Sequence, residues 1–99
     1  MTKFSDKQIN NATETLFTFF RVAGYIDEED NPTDKADGIL AVDKDGDLSV
    51  IDGEGTERMK EIELRNLKAI NAIAQIPDFR KMTTLTIRKI LIAHEIKIV

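Results

Sequence analysis

Closely spaced acidic side chains are the feature of this sequence best suited to binding chemistry. Residues 27–54 hold eleven Asp and Glu residues against two lysines, a charge balance of −9. The densest part is a run of alternating aspartates, Asp43, Asp45 and Asp47. Carboxylates at this spacing can coordinate a hard cation, or they can create a local negative potential that attracts basic surfaces.

Residues 43–54 resemble the calcium-binding loop of EF-hand proteins, a resemblance confined to this segment. The residues at ligand positions are Asp43, Asp45, Asp47, Ser49 and Glu54. The resemblance implies Ca²⁺ as the bound ion, held by oxygen ligands. The sequence departs from the family at the sixth position, where Leu48 replaces the glycine of the sharp turn. The alternative is an acidic β-turn that binds no ion and accounts for Gly46 directly.

The C-terminal part of the chain has the opposite charge. Residues 1–54 have a balance of −8 and residues 55–99 a balance of +4, which together give the net charge of −4. The basic residues that could contact phosphates are Arg80, Lys81, Arg88 and Lys89. Residues 56–94 also loosely resemble a helix-turn-helix pair, so a nucleic-acid-binding module is a second hypothesis.

Residues for catalysis are sparse. The chain has no cysteine and one histidine, His94, which has no serine or threonine near it in sequence as a recognisable partner. Its glycines match neither nucleotide-binding fingerprint. We therefore expect a protein that is not an enzyme and that needs no cofactor, with calcium left as the alternative.

The first element that could position these residues is an N-terminal helix. Ser5 and Gln8 have the spacing of a capping box, and apolar residues recur every three or four positions up to Ala23. Gly24 supplies a left-handed stop. The helix carries three phenylalanines within four positions, and we expect Phe17 or Phe19 to be available for contact with a second copy of the chain.

The remaining elements predict an α+β fold. Residues 27–37 read as an exposed acidic loop, and Asp45-Gly46 between two β-prone runs predicts a β-hairpin over residues 39–51. Two helices follow, one from Thr56 to Ile76 and one from Thr84 to His94. The alternation of residues 96–99 predicts a short third strand, which gives the order α-β-β-α-α-β. We see no internal repeat.

Length and composition set the broader expectations. A chain of 99 residues fits one domain, residues 1–99, and its apolar share of 41 % is that of a globular protein. No apolar run approaches the roughly 20 residues of a membrane span, and no signal-peptide pattern precedes the first helix. Together with the lack of cysteine, this favours a cytoplasmic location.

The leading functional hypothesis is a small interaction or inhibitor protein that binds a basic macromolecule through residues 27–54. Such a protein could occupy a nucleic-acid-binding surface as a mimic, as small proteins of phages and other mobile elements do. The residues expected to make the contact are Asp27, Glu28, Glu29, Asp30, Asp43, Asp45 and Asp47.

Overall fold

A computed structural model describes residues 6–99, with the side chains of residues 11–99. Its regular elements are α1 (Asp6–Ala23), β1 (Leu40–Val42), β2 (Leu48–Val50), α2 (Glu54–Arg65), α3 (Leu67–Gln75) and α4 (Thr84–Ala93). Short 3₁₀ turns occupy Asp34–Ala36 and Phe79–Lys81. The predicted α+β class, with a helix, then a hairpin, then further helices, is confirmed.

The first helix, α1, ends where the sequence predicts. Gly24 has a φ of 88°, and the N–H of Tyr25 donates to the carbonyl of Phe20 at 2.8 Å, which closes the helix. The expected cap at Ser5 lies outside the described residues. Because Phe19 is fully buried, it cannot supply a contact to a second copy, whereas Phe17 is half-buried against the core.

The predicted hairpin is present as an antiparallel pair, in which Leu40 lies opposite Val50 and Val42 opposite Leu48. Gly46 has a φ of 82° in the turn, a conformation that glycine adopts without steric cost. The N–H of Ile51 donates to the carbonyl of Ile39 at 2.8 Å, so the pairing continues beyond the named strands.

The long helix predicted for residues 56–76 is two helices. The first begins at Glu54 after Gly53, two residues before the predicted cap at Thr56. The second begins after Asn66, whose φ of −117° departs from helical geometry. The side chain of Asn66 donates to the carbonyl of Ile62 at 2.8 Å, and such competition with the helical backbone explains the interruption.

Residues 96–99 do not form the expected third strand. The N–H of Ile96 donates to the carbonyl of Leu91, and the N–H of Val99 donates to Oδ1 of Asn66 at 2.8 Å. Ile96 and Ile98 are half-buried against the core, so the alternation of this segment serves packing on helices.

The buried apolar residues form one cluster that joins α1, α3 and α4. The segment from the end of α1 to the first residue of β1 adds Tyr25, Ile26, Ala36, Ile39 and Leu40 to this cluster. The side chains with almost no exposure include Phe19, Ile26, Ile39, Ile73, Ile87 and Leu91. Residues 27–54 thus contribute Ala36, Ile39 and Leu40 to the core, while all of their acidic side chains are exposed. Within residues 6–99, no helix combines the length and apolar character needed to cross a membrane.

Candidate acidic interaction site

Two turns in the acidic segment are built by the same side-chain hydrogen bonds. Oδ1 of Asp27 accepts from the backbone N–H groups of Glu29 and Asn31, each at 2.9 Å. Oδ1 of Asp43 accepts from those of Asp45 and Asp47, also at 2.9 Å. In each turn an aspartate thus holds the amides two and four residues ahead of it, as Asx turns do.

The backbone of the two turns matches as well. Asp27 and Asp43 each donate their N–H to the carbonyl four residues ahead at 2.9 Å. The fourth residue is left-handed in both, with φ of 63° at Asp30 and 82° at Gly46. Residues 27–31 and 43–47 are therefore two copies of one five-residue acidic turn, although the sequence showed no repeat. The available signal was an Asp at the first position, an acid at the third and Asn or Asp at the fifth.

These bonds give Asp43 a structural role, and its replacement by alanine is expected to lower the free energy of unfolding. Losing the acceptor for two N–H groups should cost about 1–2 kcal/mol, as at helix N-caps. Asp43→Asn is the matched control, because an amide oxygen can still accept both bonds. Urea unfolding of the two variants measures the difference. Equal stability of Asp43→Ala and Asp43→Asn would contradict the role assigned to this carboxylate.

The acids of residues 27–54 keep most of their charge open to solvent. All eleven are exposed. Asp30 is the only one of these acids that forms an ion pair with a side chain of residues 11–99: its Oδ1 lies 2.6 Å from Nη2 of Arg21. Lys35 is directed elsewhere, since its Nζ donates to the carbonyl of Ala23 and lies 4.6 Å from the Tyr25 ring centroid. The negative charge of this segment is therefore largely uncompensated by the side chains of residues 11–99.

The predicted contact residues thus fall into two groups. Asp27 and Asp43 hold turns, and Asp30 pairs with Arg21. The members without such a partner among the described side chains are Glu28, Glu29, Asp45 and Asp47. The turns present these four carboxylates on fixed backbone.

The hairpin also exposes aliphatic side chains beside its aspartates, a feature that sequence reasoning missed. Val42 and Val50 are 45 % and 38 % exposed. They lie on one face with Leu40 and Leu48, because paired and alternate residues of a hairpin share a face. Alternation in the sequence predicts that these residues share a face. It does not predict how much of that face the helices cover, and this coverage determines the exposure of Val42 and Val50.

The residues with the spacing of a calcium loop are brought together only in part. Carboxylate oxygens of Asp43, Asp45 and Asp47 lie within 4.8 Å of one another. Glu54 does not belong to this group but begins α2, and Ser49 pairs with Ala41 in the hairpin. Leu48 is extended in β2, where the EF-hand loop needs its sharp turn. A calcium site stays a prediction from the sequence.

The four basic residues of the nucleic-acid hypothesis are also divided. Arg80 forms an ion pair with Glu14 and donates to Oδ1 of Asn11, and Nε of Arg88 donates to the carbonyl of Val22 at 2.9 Å. These bonds tie both arginines to α1, whereas no described side chain bonds the amine of Lys81 or Lys89; all four residues are exposed. Residues 76–83 separate α3 from α4, and this connection is longer than the roughly 3–4-residue turn of a helix-turn-helix. This hypothesis too stays a prediction.

Comparison of the chain with protein-family models gives no match, and neither curated proteins nor solved structures match it. The function must therefore be argued from the chain's own geometry.

Proposed function

We propose that residues 27–54 form a docking surface for a basic macromolecular partner. The supporting observation is the set of eleven exposed acids, of which only Asp30 forms an ion pair with a described side chain. A basic protein surface that normally binds nucleic acid has the matching charge. The chain would occupy it as a mimic of the phosphate backbone and inhibit it, in the manner of small proteins from phages and mobile elements. The proposed activity is binding without catalysis.

The two acidic turns favour association with a folded partner. Their aspartate bonds fix the backbone, so less conformational freedom is lost when the surface docks. Exposed charges of one sign accelerate encounter with an oppositely charged surface and orient it. The direct contacts would come from Glu28, Glu29, Asp45 and Asp47, since none of these four carboxylates bonds another described side chain.

The exposed aliphatics of the hairpin add a second contact chemistry. Val42 immediately precedes Asp43, and Val50 lies across the hairpin on the same face. Interfaces commonly combine an apolar centre with a polar rim. We therefore expect the partner to present a small apolar patch bordered by Lys or Arg.

Affinity capture with the immobilised chain tests the proposal. Asp45→Asn/Asp47→Asn should retain basic host proteins about tenfold less tightly than the wild type, since exposed ion pairs contribute about 0.2–1 kcal/mol each. Glu57→Gln/Glu63→Gln removes the same charge from α2 and is the matched control. Equal retention of the same proteins by both variants would contradict the proposed surface.

A further inference from the structure

An apolar groove lies between the C-terminal end of α4 and residues 96–98. Its volume is about 350 Å³. Val22 and Leu91, both buried, line it together with the half-buried Ile96. Ile92 also lines the groove and is 73 % exposed, which makes it the most exposed large apolar side chain among the described residues. An apolar surface of this kind is characteristic of a binding site.

Two of the groove's lining residues carry positive charge. Arg88 is fixed there by the bond from its Nε to the carbonyl of Val22, and Lys97 follows Ile96 in the C-terminal segment. None of the described residues that line this groove is acidic, although Glu95 lines an adjoining depression together with Ile92, Ile96 and Lys97. The groove is therefore suited to an aliphatic segment that carries carboxylates.

The chain itself contains such a segment. We propose that the groove binds the β1–β2 hairpin of a second copy. Val42 and Val50 of the hairpin would contact the apolar lining, and Asp45 and Asp47 would lie near Arg88 and Lys97. This inference rests on the proposed role of the hairpin as a docking element.

The charge distribution supports this pairing of unlike surfaces. The hairpin turn carries Asp43, Asp45 and Asp47 against Lys44, and the charged residues that line the groove are Arg88 and Lys97, so the contact brings opposite charges together. A contact between hairpin and groove is heterologous, and every copy retains one surface of each kind. Association should therefore continue beyond two copies unless the arrangement closes on itself.

Sedimentation equilibrium of the wild-type chain is the first test. At about 0.5 mM protein in low salt, the average mass should exceed the protomer's 11.2 kDa, and about 1 M salt should reduce it. Ile92→Asp and Lys97→Glu should each abolish association. Leu64→Asp is the matched control, because Leu64 is 69 % exposed but does not line the groove.

A mixing experiment identifies the surfaces that meet. Asp45→Lys/Asp47→Lys disables the hairpin surface and leaves the groove intact, whereas Ile92→Asp disables the groove and leaves the hairpin intact. Each variant alone should stay at 11.2 kDa, and the mixture should form a one-to-one complex of twice that mass. Circular dichroism of each variant should match the wild type, which excludes unfolding as the reason for lost association.

A wild-type chain that stays at the protomer mass would overturn the inference, and so would a mixture of the two variants that forms no complex. The inference would also fail if Leu64→Asp abolished association as Ile92→Asp does. The proposed function is tested separately, because Ile92→Asp leaves the hairpin intact. If Ile92→Asp still captures basic proteins but the wild type does not self-associate, self-docking alone fails. If self-docking occurs and no basic protein is captured, the proposed function alone fails.

Discussion

Replacing Asn66 with alanine is expected to lower the free energy of unfolding by about 2–4 kcal/mol. Asn66 is 1 % exposed. Its Nδ2 donates to the carbonyls of Ile62 at 2.8 Å and Val99 at 3.2 Å, and its Oδ1 accepts from the N–H of Val99 at 2.8 Å. Alanine removes all three bonds, two of which tie the backbone of Val99 to the α2–α3 junction.

Urea unfolding followed by circular dichroism measures this effect. Asn71→Ala is the matched control, since Asn71 lies exposed in the adjoining helix α3. Asn66→Asp should be at least as destabilised as Asn66→Ala, because it places a carboxylate at a 1 % exposed position facing two carbonyl oxygens to which it cannot donate. If Asn66→Ala is as stable as Asn71→Ala, the side chain does not hold the C-terminal segment as described.

Replacing Gly55 with alanine is expected to destabilise the fold by about 1–3 kcal/mol, the usual cost of overpacking. In most helices the same change stabilises by about 0.5–1 kcal/mol. The sign reverses here because a Cβ on Gly55 would lie 2.9 Å from Cβ of Ile51 and 3.1 Å from the carbonyl oxygens of Gly38 and Ile39. Two of these atoms belong to the backbone and cannot rotate away. The start of α2 must therefore move from the base of the hairpin.

Thermal unfolding and hydrogen exchange together check this prediction. Gly55→Ala should lower Tm, and the N–H of Ile51, bonded to the carbonyl of Ile39 at 2.8 Å, should exchange faster. Lys60→Ala is the control, since Lys60 lies exposed in the same helix. A higher Tm for Gly55→Ala would show that the hairpin base accommodates a methyl group, contrary to the close packing described.

Local sequence signals were sufficient for most of the fold. Apolar periodicity and Gly24 predicted α1, and Asp-Gly between β-prone runs predicted the hairpin. The break at Asn66 was not predictable, because the side chain that competes with the helical backbone is also bonded to Val99, 33 residues further along the chain. The third strand was expected from alternation alone, but Ile96 and Ile98 pack on the helices instead. In both cases tertiary contacts override the local pattern.

The candidate site was predictable in charge but not in the role of each residue. The sequence indicated an exposed acidic segment, and all of its acids are exposed. It did not distinguish Asp27 and Asp43, which hold backbone amides, from Asp45 and Asp47, which do not. The pairing of Asp30 with Arg21 requires the chain to turn back along α1. Composition and spacing contain no information about such contacts.

The dependence of partner affinity on salt tests the acidic docking role most directly. With a basic protein captured by the wild-type chain, the logarithm of the association constant should fall as the logarithm of salt concentration rises. Asp45→Asn/Asp47→Asn should bind more weakly and give a shallower slope, whereas Glu57→Gln/Glu63→Gln should retain the wild-type affinity and slope. Identical affinities and slopes for the wild type and both variants would contradict recognition through the acidic turns.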